Sequence, residues 1–246
     1  MKKNRNLLFV LLIMVFVSCQ NGRHGSRTYK GAPVTIGNGH AYTFVTSDVT
    51  GKLEAIGIRF TADVLDGLPT DSSEHSYMLS LPVQVVNITY DHCEVDWNPH
   101  GHEPAFAYGV PHFDFHFYTI SEQEQSQIIP GPDTVSIDPK YIPQDYVSGG
   151  VAVPDMGTHW VDTTAAEFHG VPFTTTFIYG AYRGKMATFL EPMITKTFLE
   201  TKPDTTMTVK QPDAFQRQGD YPSKYRVRYD ALHKEYVISL EGLRYQ

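Results

Sequence analysis

Residues 111–120 read PHFDFHFYTI, and within them His112, Asp114 and His116 alternate with Phe113, Phe115 and Phe117. Alternation is the period of a β-strand, so three proton- or metal-binding side chains share one face and three phenyl rings share the other. The phenyl face is a core face. The other is either wet surface or a site. Same-face neighbours such as His112 and Asp114, or Asp114 and His116, have Cα atoms about 6.6 Å apart on a regular strand, a chelating spacing, whereas His112 and His116 at about 13 Å only just reach one ion. A metal at this strand therefore needs ligands from elsewhere in the chain.

The surroundings supply candidates. His92, His100, His102, His112 and His116 fall within 25 residues, together with Asp91, Glu94, Asp96, Glu103 and Asp114. The connection NPHGHEPAFAYGV before the strand is longer than a tight hairpin needs, and long ordered loops in compact domains tend to be functional; as a plain Pro/Gly-rich surface loop, its histidines would simply be solvated. Farther along, DMGTHWVD carries His159, which is either a core histidine bonded to backbone or a ligand. ATFLEPM places Glu191 on the strand face shared by Ala187 and Phe189. A carboxylate closing an apolar face needs a partner, either a metal or a cation such as Arg183 or Lys185.

Five segments, GIRFTADVLDGLP, DWNPHGHEP, PHFDFHFYTI, DMGTHWVD and FIYGAYRGKMATFLEPMIT, together resemble an exported bacterial family without an assigned reaction, of the type that includes a sigma-E-regulated Thermus protein. The resemblance runs from about Gly39 to Leu199. It implies that His102, His112, Asp114, His116, His159 and Glu191 occupy motif positions, while His24, His75, His169 and His233 do not. These six are the candidate metal ligands, and imidazole with carboxylate suits zinc among divalent ions. Cupins and α-carbonic anhydrases also hold metals on β-strands, but with a His-x-His spacing that HFDFH lacks. No Gly-x-Ser-x-Gly elbow and no Cys-x-x-Cys pair occurs, which argues against serine-hydrolase and thiol-redox chemistry.

The elements that must position these residues are mostly strands. Short β-rich runs bounded by Gly, Pro, Asn or Asp recur along the chain, FTTTFIYG and GKMATFLEP flank a turn, and KYRVRYDALHKEYVISLEGL has the form of a closing hairpin. The expected fold is mainly β, an antiparallel sandwich or barrel with one or two short helices. SEQEQSQI has the Ser121–Glu124 spacing of a capping box, and MITKTFLE after Pro192 is the second helical candidate. The Pro-rich stretch IIPGPDTVSIDPKYIPQDY reads as an extended surface connection.

The chain has 246 residues, 41% of them hydrophobic and 13% aromatic, enough for one packed β domain. It begins with Lys2, Lys3 and Arg5, an apolar run from Leu7 to Val17, and Cys19 after a small residue. Eleven apolar residues are too few to span a bilayer core of about 30 Å, so the segment reads as an export signal. FVSC resembles a lipobox, which makes residues 1–18 a lipoprotein signal peptide, Cys19 the lipid attachment site, residues 19–33 a flexible tether and residues 34–246 a single β-rich domain. Three of the 20 basic residues lie in residues 1–18, so processing leaves 17 against 27 acidic residues, a net charge of −10 that argues against nucleic acid. The expected address is the bacterial cell envelope, periplasm or outer membrane, with the membrane reached through the lipid. A second copy of the chain and a small-molecule ligand of unspecified chemistry remain open as partners. With Cys19 acylated, Cys93 is the only thiol, and its place in the inward alternation Cys93, Val95, Trp97 makes it a buried hydrophobe. The functional expectation is a metal-dependent binding or structural module. The alternative is a zinc hydrolase or lyase, with Glu103 or Glu191 accepting a proton from metal-bound water.

Overall fold

The structure is a computed structural model that describes residues 25–246; the expected signal peptide over residues 1–18 and the expected attachment site Cys19 lie outside the described residues. Strands β1 (Arg27–Lys30), β2 (Val34–Ile36), β3 (Gly39–Ser47) and β4 (Leu53–Thr61) open a first sheet. The chain then enters a second sheet through β5 (His75–Ser80), β6 (His92–Asn98), β7 (His112–Tyr118) and β8 (Gly131–Pro132). That sheet continues with β9 (Tyr146–Val153), β10 (Gly157–Asp162), β11 (Thr175–Tyr182) and β12 (Lys185–Thr195). Next come β13 (Asp204–Thr208), β14 (Asp220–Tyr221), β15 (Lys224–Asp230), β16 (Glu235–Glu241) and β17 (Arg244–Tyr245). The first sheet runs β1-β3-β4-β16-β15-β13 with β2 beside β3, the second runs β5-β6-β7-β12-β11-β10-β9-β8, and β14 pairs with β17. All pairings are antiparallel, and the fold is a mainly β sandwich, as expected.

The main core lies between the sheets. Phe113, Phe115 and Phe117 of β7 and Cys93, Val95 and Trp97 of β6 meet Ile56, Ile58 and Phe60 of β4 and Tyr236, Ile238 and Leu240 of β16. Phe60 stacks on Phe115 with ring centroids 5.9 Å apart. The phenyl face of PHFDFHFYTI is thus the core face, and Cys93 is fully buried, its thiol pushed up by burial into an inert state.

The local signals have a mixed outcome. Ser121 and Glu124 make both capping-box bonds at the start of α2 (Glu122–Gln125), which follows the four-residue α1 (Ala105–Tyr108) in the long loop. In MITKTFLE the helix is only α3 (Lys196–Glu200), capped by Thr195, because Met193–Thr195 stay in β12 paired with β7. Within the span expected as a tether, residues 19–33, Arg27–Lys30 are a strand paired with Phe44–Ser47, and Gly31 seats against β3 where a Cβ would fall 2.3 Å from the Thr43 hydroxyl. The edge of β3 offers unpaired backbone groups, and the polar segment satisfies them.

Candidate metal centre

The register of the second sheet lines up its outward face. Asn98, Asp96, Glu94 and His92 of β6 pair with His112, Asp114, His116 and Tyr118 of β7. On the other side of β7, Phe189 pairs with Tyr118 and Met193 with Asp114, which puts Glu191 in the row of His116. Ile178 of β11 faces Glu191, and His159 of β10 pairs with Gly180 of β11. A Cβ on Gly180 would fall 2.2 Å from the Phe189 ring. Its absence lets that ring lie flat over β11, between His116 and His159, with centroid separations of 4.8 and 5.1 Å.

This outward face is not wet at β7. All seven residues of the strand are buried; near His112 the ring of Tyr108 in α1 packs against Phe168 of the 3-10 turn Ala166–His169, and near His116 the Tyr118 and Phe189 rings lie against the imidazole. Tyr108, Tyr118, Phe173, Ile178, Phe189 and Met193 form a second, smaller apolar cluster around the polar groups. Tyr108 packs edge-on against Phe173, which in turn meets the His112 ring.

Within this cover the six expected ligands form two triads. His102, His112 and Asp114 make one; His116, His159 and Glu191 make the other, and in each the ligand atoms lie within 4.8 Å of one another. In the first, Nε2 of His112 is 3.2 Å and Nε2 of His102 is 3.4 Å from the Asp114 carboxylate, whose Oδ2 also accepts from the Asn98 amide at 2.8 Å. In the second, Nε2 of His116 and Nε2 of His159 each stand 3.6 Å from Glu191 Oε2. Asp96 approaches His116 Nδ1 at 3.0 Å but out of line for a hydrogen bond, and both its oxygens are buried without a donor.

The tautomers are the informative detail. Nδ1 of His112 lies 2.7 Å from the Val110 carbonyl, and Nδ1 of His102 lies 2.8 Å from the Glu103 carbonyl. A carbonyl only accepts, so each Nδ1 carries the hydrogen, and in the neutral ring Nε2 presents a bare lone pair to a carboxylate. Lone pair against carboxylate is repulsive unless a proton or a metal cation stands between them. A backbone-anchored Nδ1 with an outward Nε2 is also how ligating histidines are held. Among the described residues, the buried side-chain atoms without a hydrogen-bond partner include Asp96 Oδ1 and Oδ2, His112 Nε2, Asp114 Oδ1, both His116 nitrogens and Glu191 Oε2; Thr188 Oγ1 is the other. Groups of this kind are costly to bury unless something satisfies them together.

Electrostatics says the same. Burial disfavours the charged His116, yet the carboxylates of Glu191, Asp96 and Asp114 outweigh it and hold the imidazole up at about 10. For His102, burial is again outweighed, chiefly by Asp114, and the value is about 9. Burial and the neighbouring His116 charge push His159 down to about 3. Burial raises Glu191 to about 8 against the pull of His116, while His112 and His102 overcome burial at Asp114 and keep it well below the carboxylate range. The patch requires positive charge and, without a metal, takes it as protons. Two imidazoles and a carboxylate in each triad are a donor set for a first-row divalent ion, and these buried groups could hold one.

Other expectations are corrected here. Glu191 pairs with histidines, whereas Lys185 reaches Glu124 and the Arg183 guanidinium lies over Tyr182, because both follow the β11–β12 turn to the surface. Glu103 caps α1 by accepting from the Ala105 amide and is exposed, so it does not stand over the ligands. His92 is bonded to Asp91 and Gln125, and His100 is exposed. Sequence reasoning named Asp96 in the His/Asp/Glu cluster but not among the six ligands and passed over Asn98, although the inward alternation of Cys93, Val95 and Trp97 already puts both on the histidine face. It also passed over Glu74, for which no sequence signal exists. Glu74 lies just before β5, exposed on the residue average, with its carboxyl raised to about 7 by burial and by Asp96 and Asp114. A comparison with known proteins finds no family model that matches this chain, no curated protein with a matching sequence and no solved structure with a matching fold.

Proposed function

We propose that this chain is a lipid-anchored protein of the bacterial cell envelope whose sandwich binds a divalent metal, zinc by its donor set, on the covered outer face of the second sheet, and that it works as a metal-dependent binding module. One observation carries the metal: His102 and His112 anchor Nδ1 on backbone carbonyls and aim Nε2 at the buried Asp114 carboxylate, an arrangement that needs a proton or a metal ion on each Nε2. The anchor rests on the basic start, the apolar run and Cys19, and the resemblance to the exported family accords with that address. Protein beginning at Gln20, purified without chelator, should contain at least one divalent metal per chain by elemental analysis. A chain without metal, with no change in melting on adding zinc, would refute the reading.

A second reading, metal-activated water in a hydrolase or lyase, has one structural feature in its favour. Each triad supplies three protein ligands, and the side chains of His102 and His159 remain 35% and 25% exposed, so each triad has one member within reach of solvent. Three protein ligands with an open position is the pattern of catalytic rather than structural zinc. With Glu191 taken up as a ligand and Glu103 capping α1, Glu74, raised to about 7 by burial and by Asp96 and Asp114, is then the carboxyl to test as proton acceptor.

A further inference from the structure

Resting on that metal reading, we propose that the two triads are halves of one dinuclear centre, each binding a divalent cation, with Asp114 and Asp96 in the row between them. The donor atoms fall into two groups, not one six-ligand set. Both groups are nevertheless built on the same face of β7, where His112, Asp114 and His116 succeed one another. Asp114 therefore belongs to the first triad while neighbouring His116 of the second.

Charge favours two ions over one. Asp96 and Asp114 are paired directly across β6 and β7, both buried, and like charges so placed repel. Glu191 is equally buried one row away. Three carboxylates, each with at least one buried oxygen lacking a hydrogen-bond partner, converge on one patch. One divalent ion among neutral imidazoles leaves a negative charge in that apolar surround, beside a second triad whose donors stay unpartnered. Two ions satisfy both triads and bring the patch, with Glu94 paired to His116 and Glu74 beside Asp96 and Asp114, close to neutral, and the solvent side, where His102 and His159 are partly exposed, is where a water-derived oxygen would complete the coordination. In this arrangement Asp96 supports His116 and screens one ion from the other.

Every described element lies within residues 27–245, so protein beginning at Gln20 serves for the test. Chelator-treated protein is titrated with Mn(II) and with zinc, stoichiometry is read by native mass spectrometry, and the Mn(II) form is examined by electron paramagnetic resonance. The expected results are two ions per chain, a spectrum broadened by coupling between the two Mn(II) ions, and one ion per chain in both His102→Ala and His159→Ala. Each variant replaces a partly exposed side chain, and if either fails to fold, the wild-type stoichiometry and spectrum decide alone. One ion per chain in the wild type overturns the dinuclear centre while leaving the metal reading intact. Two ions whose spectrum is the simple sum of isolated sites overturns the single centre. Absence of any metal overturns the metal reading itself.

Discussion

Removing the metal and following melting at two pH values probes the site directly. In metal-free protein the buried carboxylates hold protons on His102 and His116, raised to about 9 and about 10 against an unperturbed value of about 6.5. A histidine raised on folding adds stability in full below about pH 6.5 and loses it as pH climbs through its folded value, so the chelated protein should lose stability from about pH 6.5 towards pH 9–10. The metal-loaded protein runs the other way. An ion takes the Nε2 positions only after at least one proton leaves each triad, so affinity tightens about tenfold per pH unit for each proton displaced. With free zinc at about 100 times Kd at pH 7, linkage contributes about 2.7 kcal/mol, and at pH 8 the same zinc stands at about 1,000 times Kd and contributes about 4.1 kcal/mol. For a domain of this size a kcal/mol shifts melting by about 2–4 °C, so zinc and chelator scans should separate by about 5–11 °C at pH 7 and about 8–16 °C at pH 8. The assay is differential scanning calorimetry of the wild type and His112→Ala, in which the separation should shrink at both pH values to what the His116, His159 and Glu191 triad alone supplies. Scans that coincide, or a separation that shrinks from pH 7 to pH 8, would refute the argument that protons stand in for the metal.

Phe115→Ala should cost about 3–5 kcal/mol by denaturant titration, because its ring is fully buried against Phe60 and Phe113; a small effect would mean that the core face is misassigned. Gly180→Ala should displace the Phe189 ring, which lies against both His116 and His159, and lower zinc affinity at least tenfold by calorimetric titration; an unchanged affinity would show that the ring does not position them. Cys19→Ala should move the protein out of the membrane fraction or block its processing, and lipid labelling that persists in the variant would exclude Cys19 as the attachment site.

Strand alternation works on one strand at a time, and that is how far the sequence reaches here. PHFDFHFYTI sorts its own side chains onto two faces, HCEVDW does the same, the capping box of SEQEQSQI starts a helix where it says, and the two hairpin patterns close where their turns fall, because each depends on dihedrals and contacts within a few residues. Tertiary structure alone decides that β12 lies beside β7, bringing Glu191 into the row of His116 from 75 positions away. It also decides that His159 reaches the same carboxylate across a strand whose Gly180 has no side chain, and that Tyr108 of α1, Phe168 of the Ala166–His169 turn and Phe173 close over the His112 end. A strand's period of two says which residues share a face but not what lies over it. Solvated histidines and a buried ligand set have the same spelling, and only the register of distant strands and the closing of a loop from elsewhere in the chain separates them.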